Sequence, residues 1–120
     1  MLRLRDLDLE RHLADPTLKP KFVTPMFDLI APRYDDFTRL FSFGMDARWK
    51  RFLVAHAVAA ARDPRQALDL ACGTGDLAMA VADACPAVSV TGVDPAREML
   101  ALARARSAAG DRGRADRIAY

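Results

Sequence analysis

The segment that most constrains the fold is residues 67–78, ALDLACGTGDLA, where an apolar run meets two glycines and then a helix-like stretch. This order is typical of a strand that ends in a tight turn directly before a helix. Glycine is favoured in such a turn because it adopts positive φ and lets the backbone approach a ligand closely. A helix N-terminus beside the turn favours polar groups. The segment therefore predicts a pocket for a nucleotide-like ligand.

A second acidic residue strengthens this prediction. Asp94 ends the next apolar run, residues 88–93, and follows the glycine segment at the spacing expected of a ribose-binding acid. In a βαβ nucleotide site, a carboxylate about 20 residues beyond the glycines binds the ribose hydroxyls. A short buried strand is predicted at 67–70 and a second strand at 88–93. Helices are predicted at 76–84 and 95–108, and residues 116–120 look like the start of a third strand. This alternation predicts an α/β fold with a parallel sheet.

Length and composition restrict the remaining possibilities. The chain has 120 residues, of which 52% are hydrophobic, so one domain with a packed core is expected. A formal net charge of +2 argues against nucleic acid as the main partner. The arginine-containing run at residues 104–117 is expected to be a solvated helix end and loop. The two cysteines form no Cys/His cluster, so we expect reduced thiols and no metal site. Residues 1–10 contain Asp6, Asp8 and Glu10, and no apolar stretch follows them, so no signal peptide is expected. No membrane span is expected either, and a cytoplasmic location is predicted.

The part before the glycine segment divides into a charged arm, residues 1–21, and a helical cover, residues 22–64. In the cover, Thr24 and Pro25 predict a helix start, with Thr24 as the N-cap and Pro25 in the first turn. This helix is expected to end near Pro32, because the residue before a proline avoids the α region. Two further helices are predicted at residues 35–40 and 46–61, with a break at residues 42–44 and Asp46 as the cap of the second helix.

Two classes of nucleotide site fit the glycines. The pattern Gly73-x-Gly75-x-x-Ala78 satisfies the dinucleotide fingerprint, which leaves an NAD-dependent oxidoreductase as one alternative. However, Asp69 stands near the strand end, where a carboxylate would repel a pyrophosphate. The same carboxylate would suit the cationic amino-acid end of S-adenosylmethionine. The acid therefore favours a methyl donor over NAD.

A family resemblance supports the methyl donor. Residues 68–77, LDLACGTGDL, resemble motif I of the class I S-adenosylmethionine-dependent methyltransferases. The segments MFDLIAPRYD at 26–35, SFGM at 42–45 and RWKR at 48–51 resemble, more specifically, the methyltransferases of ubiquinone and menaquinone biosynthesis. The resemblance runs from about residue 22 onwards. It implies a Rossmann-like class I methyltransferase sheet preceded by a helical cover, with S-adenosyl-L-methionine as cofactor.

The resemblance also assigns roles to individual residues. Asp69 is implied to lie near the amino end of the donor, Asp94 to hold its ribose hydroxyls, and Met99 to line the adenine side. The turn against the donor would be formed by Gly73, Thr74 and Gly75. Ala71 replaces the first glycine of the general motif, a departure that this family tolerates.

The implied reaction is C-methylation of the ring of a polyprenylated quinol, such as demethylmenaquinol or a 2-polyprenyl-benzoquinol. The activated ring would attack the sulfonium methyl in line, while the enzyme positions the reactants and excludes water. No catalytic base is identified, and His56 is expected to be an ordinary packed or surface histidine. Such a lipid substrate would also bring the protein to the inner face of the membrane.

Two features of the cover allow more than one interpretation. Tyr34 and Asp35 belong to the family signature near the donor entrance, and they are either a lid over donor and quinol or part of a packed helix and loop. An aromatic cluster could bind a prenyl chain, although its helical spacing predicts a core. The cluster consists of Phe27, Phe37, Phe41, Phe43 and Trp49.

We expect residues 65–120 to correspond to only the N-terminal half of a donor-binding domain. We therefore expect the 120-residue chain to have little or no turnover alone. A non-catalytic binding module is the other alternative, suggested by the missing half and the aromatic cover.

Overall fold

The structure is a computed structural model that describes residues 9–120. The first eight residues of the predicted arm, with Asp6 and Asp8 of the signal-peptide argument, lie outside the described residues. The helices are α1 (Leu9–Ala14), α2 (Lys19–Ile30), α3 (Tyr34–Phe41), α4 (Asp46–Ala60), α5 (Asp76–Ala84), α6 (Arg97–Ala108) and α7 (Arg112–Ala115), with a 3-10 turn at Ala31–Arg33. The strands are β1 (Gln66–Leu70), β2 (Ser89–Val93) and β3 (Ile118–Ala119).

The three strands form a parallel sheet in the order β1-β2-β3, as the alternation of strands and helices predicts. The register sets Asp69 opposite Gly92 and Val90 opposite Ile118. Because β1 and β2 are parallel neighbours, their carboxyl ends lie at the same edge of the sheet. The turns that follow these two strands are thereby brought together.

Within the described residues 9–120, one face of the sheet is covered and the other is exposed. The buried core on that face consists of Ala78, Ala82, Val88 and Val90. On the opposite face, Leu68 and Leu70 are 62% and 69% exposed. The expectation that residues 67–70 form a buried strand is therefore wrong at these two positions. Side chains alternate between the faces of a strand, and within residues 9–120 this second face lies bare.

The first long helix begins earlier than Thr24. In α2, Pro20 rather than Pro25 takes the first-turn position, and Pro25 lies inside the helix. The Lys19 amide donates to the carbonyl oxygen of Asp15 at 2.9 Å, so the chain is already helical at this point. The predicted start at Thr24 is wrong because an upstream proline, which also suits a first turn, lies beside a ready acceptor. The predicted end near Pro32 is confirmed.

Helices α3 and α4 meet at a sharp corner, as the Ser42–Gly44 break predicts. Phe43 and Gly44 both have positive φ, +52° and +74°. The Ser42 hydroxyl donates to Asp46 Oδ1 at 2.9 Å and accepts the Asp46 amide at 3.3 Å. Asp46 itself lies in the first turn of α4, so Ser42 has the capping role that the sequence assigned to Asp46.

The aromatic cluster does not form a core. Phe37, Phe41, Phe43 and Trp49 are each more than half exposed, and Phe43 is 90% exposed. Only Phe27 is half-buried, with its ring edge-on to Tyr34 at a centroid distance of 6.0 Å. The core prediction is wrong because the covered side of α4 carries Lys50 and Val54, and the aromatic side is left facing outward. None of the helices in the described part of the chain is both long and apolar enough to cross a bilayer.

Candidate functional site

The turn after β1 is left-handed at three positions. The φ angles are +56° at Ala71, +54° at Gly73 and +82° at Gly75. The Gly75 amide donates to the Cys72 carbonyl oxygen at 2.9 Å, and the Cys72 amide donates to Val93 of the neighbouring strand at 3.1 Å. Gly75 is also the residue directly before α5. The turn therefore joins the carboxyl ends of both strands to a helix N-terminus.

Asp94 is bound to this turn, as the spacing of the two motifs predicts. The Gly73 amide donates to Asp94 Oδ2 at 2.9 Å, and the Ala96 amide donates to Asp94 Oδ1 at 2.8 Å. Both carboxylate oxygens thus have a backbone donor, which fixes the side chain at the edge of the sheet. Each oxygen retains a further lone pair for a ligand hydroxyl.

A cavity of about 350 Å³ opens beside Asp94. Its size lies in the range of small-molecule sites, roughly 300–1,000 Å³. Four of the candidate donor and lid residues line it: Tyr34, Gly73, Asp94 and Met99. The remaining lining residues are Val23, Thr24, Phe27, Ala71 and Pro95. The cavity is therefore formed between the glycine turn and the helical cover.

The acids of the site repel one another. Burial raises the pKa of Asp69, the charge of Asp94 raises it further, and the Ala78 amide acts in the opposite direction. Asp69 Oδ2 is buried without a hydrogen-bond partner among the described residues. Burial, with repulsion from both acids, also raises the pKa of the Cys72 thiol to about 11. A cationic ligand group in this region would relieve the repulsion.

Four other candidate residues, Asp35, Asp69, Thr74 and Gly75, lie outside the cavity lining. Thr74 is buried, and its hydroxyl donates to Asp35 Oδ1 at 2.7 Å. Gly75 packs against Tyr120, whose ring atoms would meet a Cβ at this position. Thr74, Gly75 and Asp35 therefore support the turn from the side away from the cavity.

An ion-pair network that the sequence did not reveal joins the cover to the sheet layer. Asp76 Oδ2 accepts from Lys50 at 2.6 Å and Asp76 Oδ1 pairs with Arg106 at 2.6 Å. Lys50 also pairs with Asp46 at 3.4 Å, and Arg106 with Asp35 at 3.0 Å. The Asp46–Lys50 pair has the i,i+4 spacing that a sequence can show. Arg106 instead fell in a run, residues 104–117, expected to be solvated.

This network shifts the pKa values of its members. Burial by itself would raise the pKa of Asp76, but hydrogen bonds and charge attraction from Lys50 and Arg106 leave it below its usual value. Burial would lower the pKa of Lys50, and its contacts with Asp76 and Asp46 raise it instead. Both groups are therefore held in their charged forms.

A second, more open groove of about 510 Å³ lies on the far side of the network, between α5 and the α6–α7 region. Its charged side chains are engaged with each other, as in the Arg106–Asp76 and Arg114–Asp83 pairs. The smaller cavity, in contrast, contains the glycine turn and the Asp94 carboxylate. It is therefore the better candidate site.

Named relatives match much of the chain. A demethylmenaquinone methyltransferase of Thermus thermophilus is 50% identical over 84 residues, 70% of this chain and 37% of the relative. A ubiquinone/menaquinone biosynthesis C-methyltransferase UbiE of Geotalea uraniireducens is 45% identical over 73% of this chain and 37% of its own length. A demethylmenaquinone methyltransferase of Deinococcus radiodurans is 42% identical over 81% and 39%. The chain thus spans well under half the length of these relatives.

The fold is shared with a solved methyltransferase structure. The glycopeptide N-methyltransferase MtfA, solved in complex with S-adenosyl-L-methionine, superposes with a TM-score of 0.50 and 24% identity. The match covers 58% of this chain and 30% of MtfA. It confirms the predicted Rossmann-like class I fold.

A family model decides between the interpretations that the glycine pattern left open. It extends from the arm through the cover and the glycine turn to Tyr120, and it favours a methyltransferase over a dinucleotide-binding oxidoreductase. Since the match covers residues 16–120, the chain belongs to the ubiE/COQ5 methyltransferase family.

Proposed function

We propose that this chain is the donor-binding part of an enzyme that uses S-adenosyl-L-methionine to C-methylate the ring of a polyprenylated quinol. Demethylmenaquinol and a 2-polyprenyl-benzoquinol are the candidate substrates. Relatives named for such reactions are 42–50% identical over the matched region. The observation that carries the proposal is the cavity that Gly73, Asp94 and Met99 line at the ends of β1 and β2.

The residues of this cavity suit an adenosine. Asp94 would accept hydrogen bonds from the ribose hydroxyls through its remaining lone pairs. A Cβ at Gly73 would meet nothing within 4 Å, so the backbone there leaves room for a ligand to approach. Met99 is 1% exposed and gives an apolar wall against which the adenine would pack.

The acidic surroundings suit the other end of the donor. When bound, S-adenosylmethionine supplies a methyl group activated by a sulfonium, and it also carries an ammonium. Asp69, with its unpartnered Oδ2 and raised pKa, would be stabilised as a carboxylate by these positive charges. We propose that Asp69 acts through its charge near the amino end of the donor.

Tyr34 would cover the donor in this proposal. Its ring lines the cavity, and the next residue, Asp35, is bonded to Thr74 of the turn. A side chain tied to the turn in this way can exclude water from the reacting groups. The lid interpretation of Tyr34 and Asp35 therefore fits the contacts better than a role in helix packing alone.

The exposed aromatic side of α3 and α4 would contact the prenyl tail and the membrane that holds it. We call it the α3–α4 patch, and its members are Phe37, Leu40, Phe41, Phe43 and Trp49. Helix α3 begins at the cavity with Tyr34 and ends at the patch with Phe41. The exposed arginines Arg39, Arg48 and Arg51 accompany it and would attract anionic headgroups.

Co-sedimentation with phosphatidylglycerol vesicles tests the α3–α4 patch. We expect Phe43→Ser to reduce binding and Leu70→Ser, at another exposed apolar position on the bare sheet face, to leave it unchanged. Equal losses in both variants would mean non-specific adhesion. Binding to pure phosphatidylcholine as strong as to phosphatidylglycerol would argue against the role of the arginines.

Calorimetric titration with S-adenosylhomocysteine tests the donor site. We expect saturable binding that Asp94→Asn weakens at least about tenfold, because the variant keeps the shape but loses the charged acceptor. Asp63→Asn, an exposed aspartate in the loop before β1, is the matched control and should bind normally. Binding of NADH in place of S-adenosylhomocysteine would revive the oxidoreductase alternative, and no binding of either by a folded chain would favour a binding module.

Turnover is a separate question. We propose that the 120-residue chain transfers methyl groups to a demethylmenaquinol analogue at a negligible rate, because it spans under two fifths of the length of its named relatives. Incorporation of labelled methyl from S-adenosylmethionine by the purified chain would overturn this part of the proposal.

A further inference from the structure

We propose that Arg106 is a positioning residue for the donor cavity, and that its guanidinium holds the glycine turn and the Tyr34–Asp35 segment in one arrangement. The proposal rests on the function proposed above and identifies a residue outside the family motifs that would control donor binding.

Arg106 makes four polar contacts with three elements. Its Nη1 donates to the Thr74 carbonyl oxygen at 3.0 Å and to the Thr74 hydroxyl at 2.9 Å. The same nitrogen lies 3.0 Å from Asp35 Oδ2, and Nη2 lies 2.6 Å from Asp76 Oδ1. One side chain of α6 therefore joins the turn, the start of α3 and the first turn of α5.

Thr74 and Asp35 complete a closed triangle with Arg106. The Thr74 hydroxyl donates to Asp35 Oδ1 at 2.7 Å and accepts from Arg106. Both carboxylate oxygens of Asp35 are thus used, one by each partner. Removal of any member leaves the other two with a buried or half-buried polar group that has lost a partner.

None of the three triangle residues lines the donor cavity, but their chain neighbours Gly73 and Tyr34 do. Arg106 can therefore act on the ligand only through the residues that it holds. On the cavity side, the Gly73 amide donates to Asp94. On the far side, Gly73 is held through its neighbour Thr74, whose carbonyl oxygen accepts from Arg106. Tyr34 is fixed by the same triangle through Asp35.

The turn needs support of this kind. Three of its five residues have left-handed backbone, which Gly73 and Gly75 adopt without strain but the non-glycine Ala71 does not. A strained residue of this kind persists only when surrounding contacts hold it. The Thr74 carbonyl lies between two of these positions and receives its hydrogen bond from Arg106. Without that bond, the turn would lose a contact that opposes relaxation of the strain.

The planar fork of arginine is what makes this arrangement possible. A lysine at position 106 would keep the charge, but a single ammonium cannot reach Asp76, Asp35 and both oxygens of Thr74 in the same geometry. Arg104 on the same helix donates to the carbonyl oxygen of Tyr120 and has no hydrogen bond to the described turn residues. Arg104→Lys is therefore a matched control for Arg106→Lys.

Amide hydrogen exchange of the unliganded chain tests the positioning role directly. In Arg106→Lys we expect the Gly73 and Gly75 amides to exchange at least about tenfold faster, because the contacts that hold the turn closed are weakened. The Val90 amide, which donates to the carbonyl oxygen of Arg117 directly before β3, should keep its exchange rate. Unchanged Gly73 and Gly75 rates would overturn the proposal, as would a uniform rise at all three amides, which would mean a general loss of stability.

Titration with S-adenosylhomocysteine tests the consequence for the ligand. We expect the Kd of Arg106→Lys and of Thr74→Val to rise by about tenfold each, and that of the double variant by little more, because both changes break one triangle. Arg104→Lys should leave the Kd unchanged. Wild-type affinity in Arg106→Lys, or independent effects of the two changes, would overturn the role in donor binding.

The two experiments separate failure of this inference from failure of the proposed function. If the wild-type chain binds no S-adenosylhomocysteine, the proposed function fails, and the exchange rates of Gly73 and Gly75 still decide whether Arg106 holds the turn.

Discussion

The phenol ring of Tyr120 occupies the space in which a Cβ on Gly75 would lie. The Tyr120 hydroxyl also lies 3.0 Å from the Ser107 hydroxyl, so the ring is fixed between β3 and α6. The second glycine of the turn is therefore required by a neighbouring side chain, whereas the first, Gly73, adjoins open space at the cavity. The two glycines have different functions within one motif.

Alanine substitution should separate these functions. We expect Gly75→Ala to lower the free energy of unfolding by about 2–4 kcal/mol, since strain at φ +82° adds to overpacking against Tyr120. Gly73→Ala should cost only about 1–2 kcal/mol of strain. Urea denaturation followed by circular dichroism measures both.

Donor affinity should respond to the same two variants in a different order. Under conditions where each variant is folded, Gly73→Ala should weaken S-adenosylhomocysteine binding and Gly75→Ala should affect it less. Equal losses of stability in the two variants would contradict the assignment of Gly75 to packing.

The sequence predicts the local part of the fold well, because strand, glycine turn and helix follow one another within residues 67–84. It also predicts that Asp94 meets the turn, since carboxyl ends of parallel neighbours share an edge. The sequence does not predict which neighbouring group makes each glycine necessary. Spacing shows that residue 75 needs a glycine, but only the position of Tyr120, 45 residues later, shows why.

Long-range polar contacts are the part that sequence reasoning missed. The Arg106 contacts with Thr74 and Asp35 span 32 and 71 positions, and one arginine among several near the end of α6 carries no periodic signal. The prediction that the aromatic cluster forms a core was wrong although a periodic signal was present. Its helical spacing was real, but spacing does not show which face of a helix the sheet layer covers.

Ala71 offers a test of backbone strain in the turn. It has φ +56°, a conformation that costs a non-glycine residue about 1–2 kcal/mol. We expect Ala71→Gly to raise the free energy of unfolding by about 0.5–1 kcal/mol, because relief of strain exceeds the added chain entropy. Ala101→Gly at an exposed position of α6 is the control and should lower it by about 1 kcal/mol. A loss of stability in both variants would show that Ala71 is unstrained.

Arg117 closes the C-terminal end of α5. Its Nη1 donates to the carbonyl oxygens of Ala82 at 2.8 Å, Val88 at 3.2 Å and Cys85 at 3.3 Å. Ala82 lies in the last turn of α5, where carbonyls lack a partner within the helix, so a cation there supplies a hydrogen bond and a favourable interaction with the helix dipole.

We expect Arg117→Ala to lower the free energy of unfolding by about 1.5–3 kcal/mol, the range for hydrogen bonds to a charged group. Arg112→Ala, at an exposed position of α7, should change it by less than about 0.5 kcal/mol. Thermal and urea unfolding of the two variants compare them directly, and similar values would remove the proposed role of Arg117 in closing α5.

The lowered pKa of Asp76 predicts how stability depends on pH. In the folded chain this carboxyl has a pKa below its ordinary value of 3.8, so folding is favoured when Asp76 is ionised. Its contribution is present above pH 3.8 and disappears as the pH falls through the folded-state pKa, because protonation removes the attraction to Lys50 and Arg106.

Asp76→Asn should therefore be less stable than wild type at neutral pH, and the difference in free energy of unfolding should shrink as the pH falls below about 4. Added salt should also reduce the difference, because these ion pairs are only partly buried. Asp63→Asn, which removes an exposed pair with Arg65, should show little difference at any pH. A difference for Asp76→Asn that stays constant from neutral to acid pH would mean that packing or hydrogen-bond geometry, and not the charge of Asp76, stabilises the junction of α4, α5 and α6.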